Sequence, residues 1–279
     1  MPAYLRPTTQ SEALAALAQG TLTVLAGGTD YYPSKVGKAV ADDILDISAI
    51  AGLRGIDDCG GHWRIGATTT WSEIAAAELP PLFDGLKLAA RQVGGAQIQN
   101  AGTIGGNLCN ASPAADGVPP LLALDARVEV AGADGNRNMA LADFILGNRN
   151  TALRPGQLLT AVLVSKPMHA ARSHFLKFGA REYLVVSIAM VAATLEIEAG
   201  RVSAARIAVG ACSPVAQRLP PAEAVLIGKP CDAKLGELLR AEHLAGLAPI
   251  DDVRASGAYR LDAALTLGRR VLNRIGAET

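Results

Sequence analysis

The stretch that decides the reading is 97-QIQNAGTIGGNLCNASPAADGVPPLLALDA-126. Glycine and asparagine crowd its first half, prolines follow, and charge is nearly absent. Glycine lets the backbone turn sharply or approach another chain closely, and asparagine tolerates turn conformations. Such a run suits either a turn-rich surface loop or a cradle around a ligand, and only the rest of the chain can separate the two. A second glycine-rich turn lies at 25-LAGGTDYYPSKVGK-38. In both turns, consecutive backbone N–H groups are expected to converge on one point, an arrangement that suits the diphosphate of a dinucleotide. The hydroxyls of Thr29 and Thr103 and the amide of Asn107 would add hydrogen bonds. Neither turn is a GxGxxG fingerprint or a GxxxxGK[ST] loop, so a phosphate site would have to be assembled from two separated turns.

The composition allows a folded core. Of 279 residues, 50% are hydrophobic and 19% charged, which excludes a disordered chain and leads us to expect two domains. Lys plus Arg balances Asp plus Glu at 26 each, so nothing steers the protein towards nucleic acid or an anionic membrane. No apolar run reaches the roughly 18 residues of a membrane span. The start, MPAYLRPTTQSEAL, has no apolar segment of the signal-peptide kind, and a cytoplasmic location is expected. Cys59, Cys109, Cys212 and Cys231 are widely spaced and His62, His169, His174 and His243 form no HExxH motif. No metal site on this chain is expected.

Local patterns suggest the organisation. Thr9 to Glu12 and Thr70 to Glu73 both fit capping boxes. Strands are expected at 21–26, 43–48 and 62–67, an amphipathic helix at 82–93 and a short helix at 119–124. Asp134-Gly135 is a hairpin turn between strands at 127–131 and 137–141. Strand-like runs follow at 158–164, 174–178, 187–198 and 202–211, with a turn at Ala199-Gly200. A helix from about Ala258 to Ile275 closes the chain, its Arg269, Arg270 and Arg274 suiting the negative end of the helix dipole. The expected boundary falls near Lys166-Pro167, giving a first domain over 1–168, with parts at about 1–55 and 56–168, and a second over 169–279.

Taken together, AGGTD (26–30), IGATTTWSEI (65–74), QIQNAGTIGGNLCNASPAAD (97–116), LLALDA (121–126), FLKFGAREYLVVSIAMVAA (175–193) and DVRASGAYR (252–260) resemble, in order, one family. It is the FAD-binding medium subunit of the molybdenum hydroxylases, the relatives of xanthine dehydrogenase and carbon monoxide dehydrogenase. The resemblance implies an α+β fold: a two-part FAD-binding domain of the vanillyl-alcohol-oxidase (PCMH) type, then a small α+β C-terminal domain with an antiparallel sheet. It implies FAD ligands at Leu25, Ala26, Gly27, Gly28, Thr29, Asp30 and Tyr31, and at Thr103, Ile104, Gly105, Gly106 and Asn107. It adds Asp116, Lys177 and a leucine on the flavin ring, for which Leu159 and Leu158 both qualify. On their residues alone, Asp116 would equally suit a turn cap and Lys177 a solvated strand cation. Tyr183 is a further candidate at the flavin edge, and equally a packing residue. Gln99 stands where the family often has arginine.

The same resemblance implies an oxidoreductase subunit that takes electrons from [2Fe–2S] clusters of a small iron–sulfur subunit and passes them to an external acceptor. Substrate would be oxidised on a large molybdopterin subunit, in a dimer of heterotrimers. No catalytic residue beyond the flavin is expected here. A stand-alone FAD-dependent oxidoreductase of the same fold, and a cofactor-free structural subunit, are the alternatives.

Overall fold

The computed structural model describes residues 2–39, 41–181 and 184–278. Tyr183, the expected flavin-edge aromatic, lies outside the described residues.

The chain opens with β1 (Tyr4–Leu5), α1 (Gln10–Gln19), β2 (Thr23–Leu25), α2 (Tyr31–Ser34) and β3 (Ile44–Asp46). The three strands form a parallel sheet in the order β1-β3-β2. Thr9 starts α1 as read: its hydroxyl accepts from the Glu12 N–H at 3.3 Å, and Glu12 accepts from the Thr9 N–H at 3.2 Å. Each such cap contributes about 1 kcal/mol. β2 ends at the first glycine turn, which therefore leaves the edge of this sheet.

Next come β4 (Ile56–Asp58), β5 (His62–Gly66), α3 (Trp71–Ala76), α4 (Asp84–Ala90), α5 (Ala96–Ala101), α6 (Ile104–Asn110) and α7 (Val118–Ala123). The second capping box, Thr70 with Glu73, starts α3. The expected helix at 82–93 is shorter, a single 3-10 turn at Pro81–Phe83 leading into α4. Then follow β6 (Arg127–Gly132), β7 (Gly135–Ala140), α8 (Leu141–Phe144), β8 (Ile145–Gly147), β9 (Asn150–Thr151) and β10 (Leu158–Ser165). Among the described residues a five-stranded antiparallel sheet runs β4-β5-β10-β6-β7, and β8 and β9 pair as a hairpin.

The last part holds β11 (Ala170–Phe178), β12 (Ala189–Glu198), β13 (Arg201–Gly210), β14 (Gln217–Arg218), α9 (Pro220–Leu226) and α10 (Gly257–Ala277). Its antiparallel sheet runs β11-β12-β13-β14. Side chains alternate across a strand, and β12 buries both faces. Met190 and Ala192 join the core around α4 and α7, while Ala189, Val191, Ala193 and Leu195 pack in the core under α10. The sheet is thereby shared between the two halves of the chain.

Two cations of the last helix are spent differently from the sequence expectation. Arg269 donates to the Leu239 carbonyl at 2.9 Å and Arg274 meets His174 at 3.1 Å, so tertiary contacts engage both side chains. A third, the fully buried Arg260, ties α10 to the sheet. It donates to the carbonyls of Ile188 (2.7 Å) and Ala211 (3.3 Å) and to the Asp252 carboxylate (2.7 Å). Asp252 also accepts from the N–H groups of Arg254 and Ala255, which hold its carboxyl down at about 2 together with the two guanidiniums.

Candidate cofactor site

The parallel sheet and the α5–α6 segment meet across a cleft of about 560 Å³, within the usual range for small-molecule and cofactor sites. The two glycine turns form facing walls of it and touch each other directly. A Cβ at Gly27 would fall inside the Ala101 carbonyl and against Gly102. Gly102 in turn lies close to the Thr29 hydroxyl and the Trp71 ring. The glycines are needed here for close approach, and only Gly28, at φ 67°, also needs the left-handed region.

The two turns differ in what they offer a ligand. In the first, the N–H groups of Gly27, Gly28, Thr29 and Asp30 donate to no protein acceptor among the described residues. In the second, the expected row of free amides is absent. Thr103 caps α6, and Gly105 and Gly106 sit in the first turn of that helix. The Ile104 and Gly105 N–H groups donate to the Thr69 and Ala67 carbonyls at 3.0 and 2.8 Å. Those of Gly106 and Asn107 donate to the Thr103 hydroxyl and carbonyl, each at 3.0 Å. What this wall leaves open is a side-chain atom: the buried Asn107 Oδ1 has no hydrogen-bond partner among the described residues. An orphaned buried acceptor of this kind carries a desolvation cost of about 1–3 kcal/mol unless something donates to it.

Leu25, Ala26, Gly27, Gly28, Thr29, Asp30, Tyr31, Thr103, Gly105, Gly106, Asn107 and Leu159 all line the cleft. Leu158 lines it beside Leu159, so both remain at the wall. Ile104 does not: its side chain is fully buried in the core. Asp116 and Lys177 are also set back from the cleft. They pair with each other at 2.6 Å, both nearly buried, and the Ser187 hydroxyl donates to Asp116 at 2.7 Å. Lys177 also donates to the Gln92 carbonyl at 3.3 Å, next to Val93 of the cleft wall. Burial pushes the Asp116 carboxyl up, against the pull of the Lys177 ammonium and the Ser187 hydroxyl.

Tyr31 lines the cleft with its hydroxyl already engaged. Its hydroxyl donates to Asp42 at 2.6 Å, which raises its pKa to about 12, and Lys35 closes the group at 2.6 Å from Asp42. Gln99 has a local role, donating to the Arg91 carbonyl beyond the end of α4 at 2.9 Å. Sequence reasoning missed Trp71 and Arg149. Trp71, almost fully buried, packs against both Gly102 and Gly117; its place in the TTTW segment was the available signal. Arg149 pairs with Asp30 at 3.0 Å across the cleft, and no motif announced it. Cys109 lines the cleft, and burial lifts its thiol to about 12, which disfavours the thiolate.

The site is thus a glycine-walled cleft with unspent backbone donors and an orphaned amide oxygen, the layout of a cofactor cradle. Residues 1–167 match the family described as FAD binding domain in molybdopterin dehydrogenase, and residues 174–275 match the CO dehydrogenase flavoprotein C-terminal domain. The chain is 31% identical to the xanthine dehydrogenase FAD-binding subunit of Escherichia coli O157:H7, over 97% of this chain and 94% of that one. It is also 31% identical to the carbon monoxide dehydrogenase medium chain of Afipia carboxidovorans, over 98% and 96%. Among solved structures, reconstituted CO dehydrogenase from Oligotropha carboxidovorans superposes with a TM-score of 0.89 at 28% identity, covering 100% of this chain and 99% of that one. Quinoline 2-oxidoreductase from Pseudomonas putida 86 gives 0.87 at 26% identity, covering 99% and 97%.

The chain belongs to the FAD-binding medium subunit family of the molybdenum hydroxylases. It carries the family's two-domain fold and FAD-binding domain, and its relatives are subunits of FAD-dependent dehydrogenase complexes. No helix among the described residues is long and apolar enough to cross a membrane.

Proposed function

We propose that this chain is the electron-transfer subunit of a heterotrimeric molybdenum hydroxylase. It would accept electrons from [2Fe–2S] clusters on a small subunit, after a large molybdopterin subunit has oxidised the substrate, and pass them to an external acceptor in the cytoplasm. The assembly on this reading is a dimer of heterotrimers. The division of labour on the chain is 1–168 for FAD and 169–279 for the C-terminal domain. The observation that carries the reading is the pairing, in one cleft, of four unspent amides at Gly27–Asp30 with the orphaned Asn107 Oδ1. Relatives named as medium subunits, such as that of nicotine 6-hydroxylase from Paenarthrobacter nicotinovorans, 29% identical over 92% of this chain, support a place in a multi-subunit complex.

When bound, FAD supplies the redox chemistry, and the protein tunes it by charge and hydrogen bonds. On this reading the amides of Gly27–Asp30 hold the diphosphate, Asn107 accepts a hydrogen bond from the ligand, and Leu158 and Leu159 form an apolar wall. Asp116 and Lys177 would brace the cleft wall as a fixed ion pair, through the Lys177 hydrogen bond to the Gln92 carbonyl next to Val93.

The test is co-purification. Expression with the neighbouring genes should yield a yellow complex with one FAD per chain, released on denaturation, and iron–sulfur absorbance that bleaches on adding substrate. A yellow chain that never associates with an iron–sulfur protein would instead favour a stand-alone flavoenzyme. A colourless one would end the cofactor reading altogether.

A further inference from the structure

Among the described residues, only two charged side chains line the cleft, Asp30 and Arg149. Arg149 sits in the β8–β9 turn at φ 55°, and its backbone N–H donates to the Asn110 carbonyl at the end of α6 (3.1 Å). Its base is therefore anchored to the wall of the second glycine turn. Its guanidinium reaches the other way, to Asp30 on the first turn, through Nη2 alone (3.0 Å). Nε and Nη1 donate to no protein acceptor among the described residues, and both side chains are more than half exposed.

A diphosphate held by the Gly27–Asp30 amides would lie beside the Asp30 carboxylate. Neutral amides do not cancel that repulsion, and no other cation among the described residues lines the cleft. A guanidinium presents its donors as a fork that can serve two anions at once. Resting on the FAD reading above, we propose that Arg149 is a positioning residue for the cofactor, a bridging cation that binds the diphosphate with its free N–H groups while holding Asp30. It offsets the carboxylate's repulsion and closes the mouth of the cleft over the bound ligand.

The experiment strips FAD from the full chain and measures rebinding of FAD and of riboflavin, which lacks the diphosphate. It compares the native protein with Arg149→Ala, Arg149→Lys and Asp30→Asn at low and high salt, by flavin fluorescence. In Arg149→Ala, FAD affinity should fall about 10- to 100-fold, the worth of a charge-assisted hydrogen bond. Its salt dependence should flatten while riboflavin binding is unchanged. Arg149→Lys should recover part of the loss, and Asp30→Asn should leave FAD binding equal or tighter. If Arg149→Ala weakens FAD and riboflavin alike, or Asp30→Asn is as damaging as Arg149→Ala, the pair is only a strut and the proposal fails. Unchanged FAD affinity in Arg149→Ala also overturns it. Native protein that rebinds no FAD refutes the cofactor reading itself, a separate outcome.

Discussion

Gly27→Ala tests the joint between the two glycine turns. The added methyl points into the Ala101 carbonyl and the Gly102 backbone, neither of which is a side chain that can swing aside. Ala101 and Gly102 are themselves fixed: the Gly102 N–H donates to Ile98 at 2.7 Å, and its carbonyl accepts from Trp71 at 3.2 Å. The two walls must separate by the better part of a methyl radius. Overpacking of this kind costs about 1–3 kcal/mol, and at about 2 kcal/mol a ligand that needs both walls loses roughly 30-fold in affinity. Gly106→Ala is the comparison, because its Cβ meets only the Thr103 Oγ, at 2.9 Å, a side-chain atom and not a backbone wall. Easing that contact costs at most the Thr103 cap of α6, about 1 kcal/mol. Equilibrium dialysis of FAD with urea melts of both variants reads the two quantities separately. Gly27→Ala holding FAD as tightly as Gly106→Ala, with native stability, would refute the interlocked-wall argument.

Further outcomes follow from buried groups. Lys177→Met strands the Asp116 carboxylate in the interior and should destabilise the chain by about 3–5 kcal/mol; adding Asp116→Leu should restore much of that in urea denaturation. His174 is buried beside Arg274, and burial, aided by that cation, lowers its pKa to about 4. Below pH 6.5 the unfolded chain binds a proton that the folded chain refuses. Stability should therefore be complete above pH 6.5 and decline by up to about 3 kcal/mol towards pH 4. His174→Gln should flatten that part of the pH profile of the melting temperature. In thiol titration with Ellman's reagent, exposed Cys59 should react fast, while Cys109 and Cys212, raised by burial to about 12 and about 11, should wait for unfolding.

Much of this was written locally. The capping boxes at Thr9 and Thr70, the Asp134-Gly135 hairpin and the Ala199-Gly200 turn depend on neighbours within four residues, so the sequence alone places them. The ordered set of motifs also determined the family, because the resemblance runs in order along nearly the whole chain, as the matches over 1–167 and 174–275 bear out. What those glycines do was decided only in three dimensions. As a sequence, TIGGN looks like a loop of free amides. In the fold it is the start of a helix whose amides are already satisfied by Thr69, Ala67 and Thr103, two of them residues more than thirty positions earlier. Likewise Asp116 and Lys177 look like independent ligands until the C-terminal sheet brings them to 2.6 Å, and Arg149 carries no signal until a hairpin hands it to Asp30, 119 residues away. Caps and turns are settled by adjacent backbone, which sequence encodes directly. Which donors remain free, and which charges find each other, depends on distant strands docking, and that the tertiary structure alone decides.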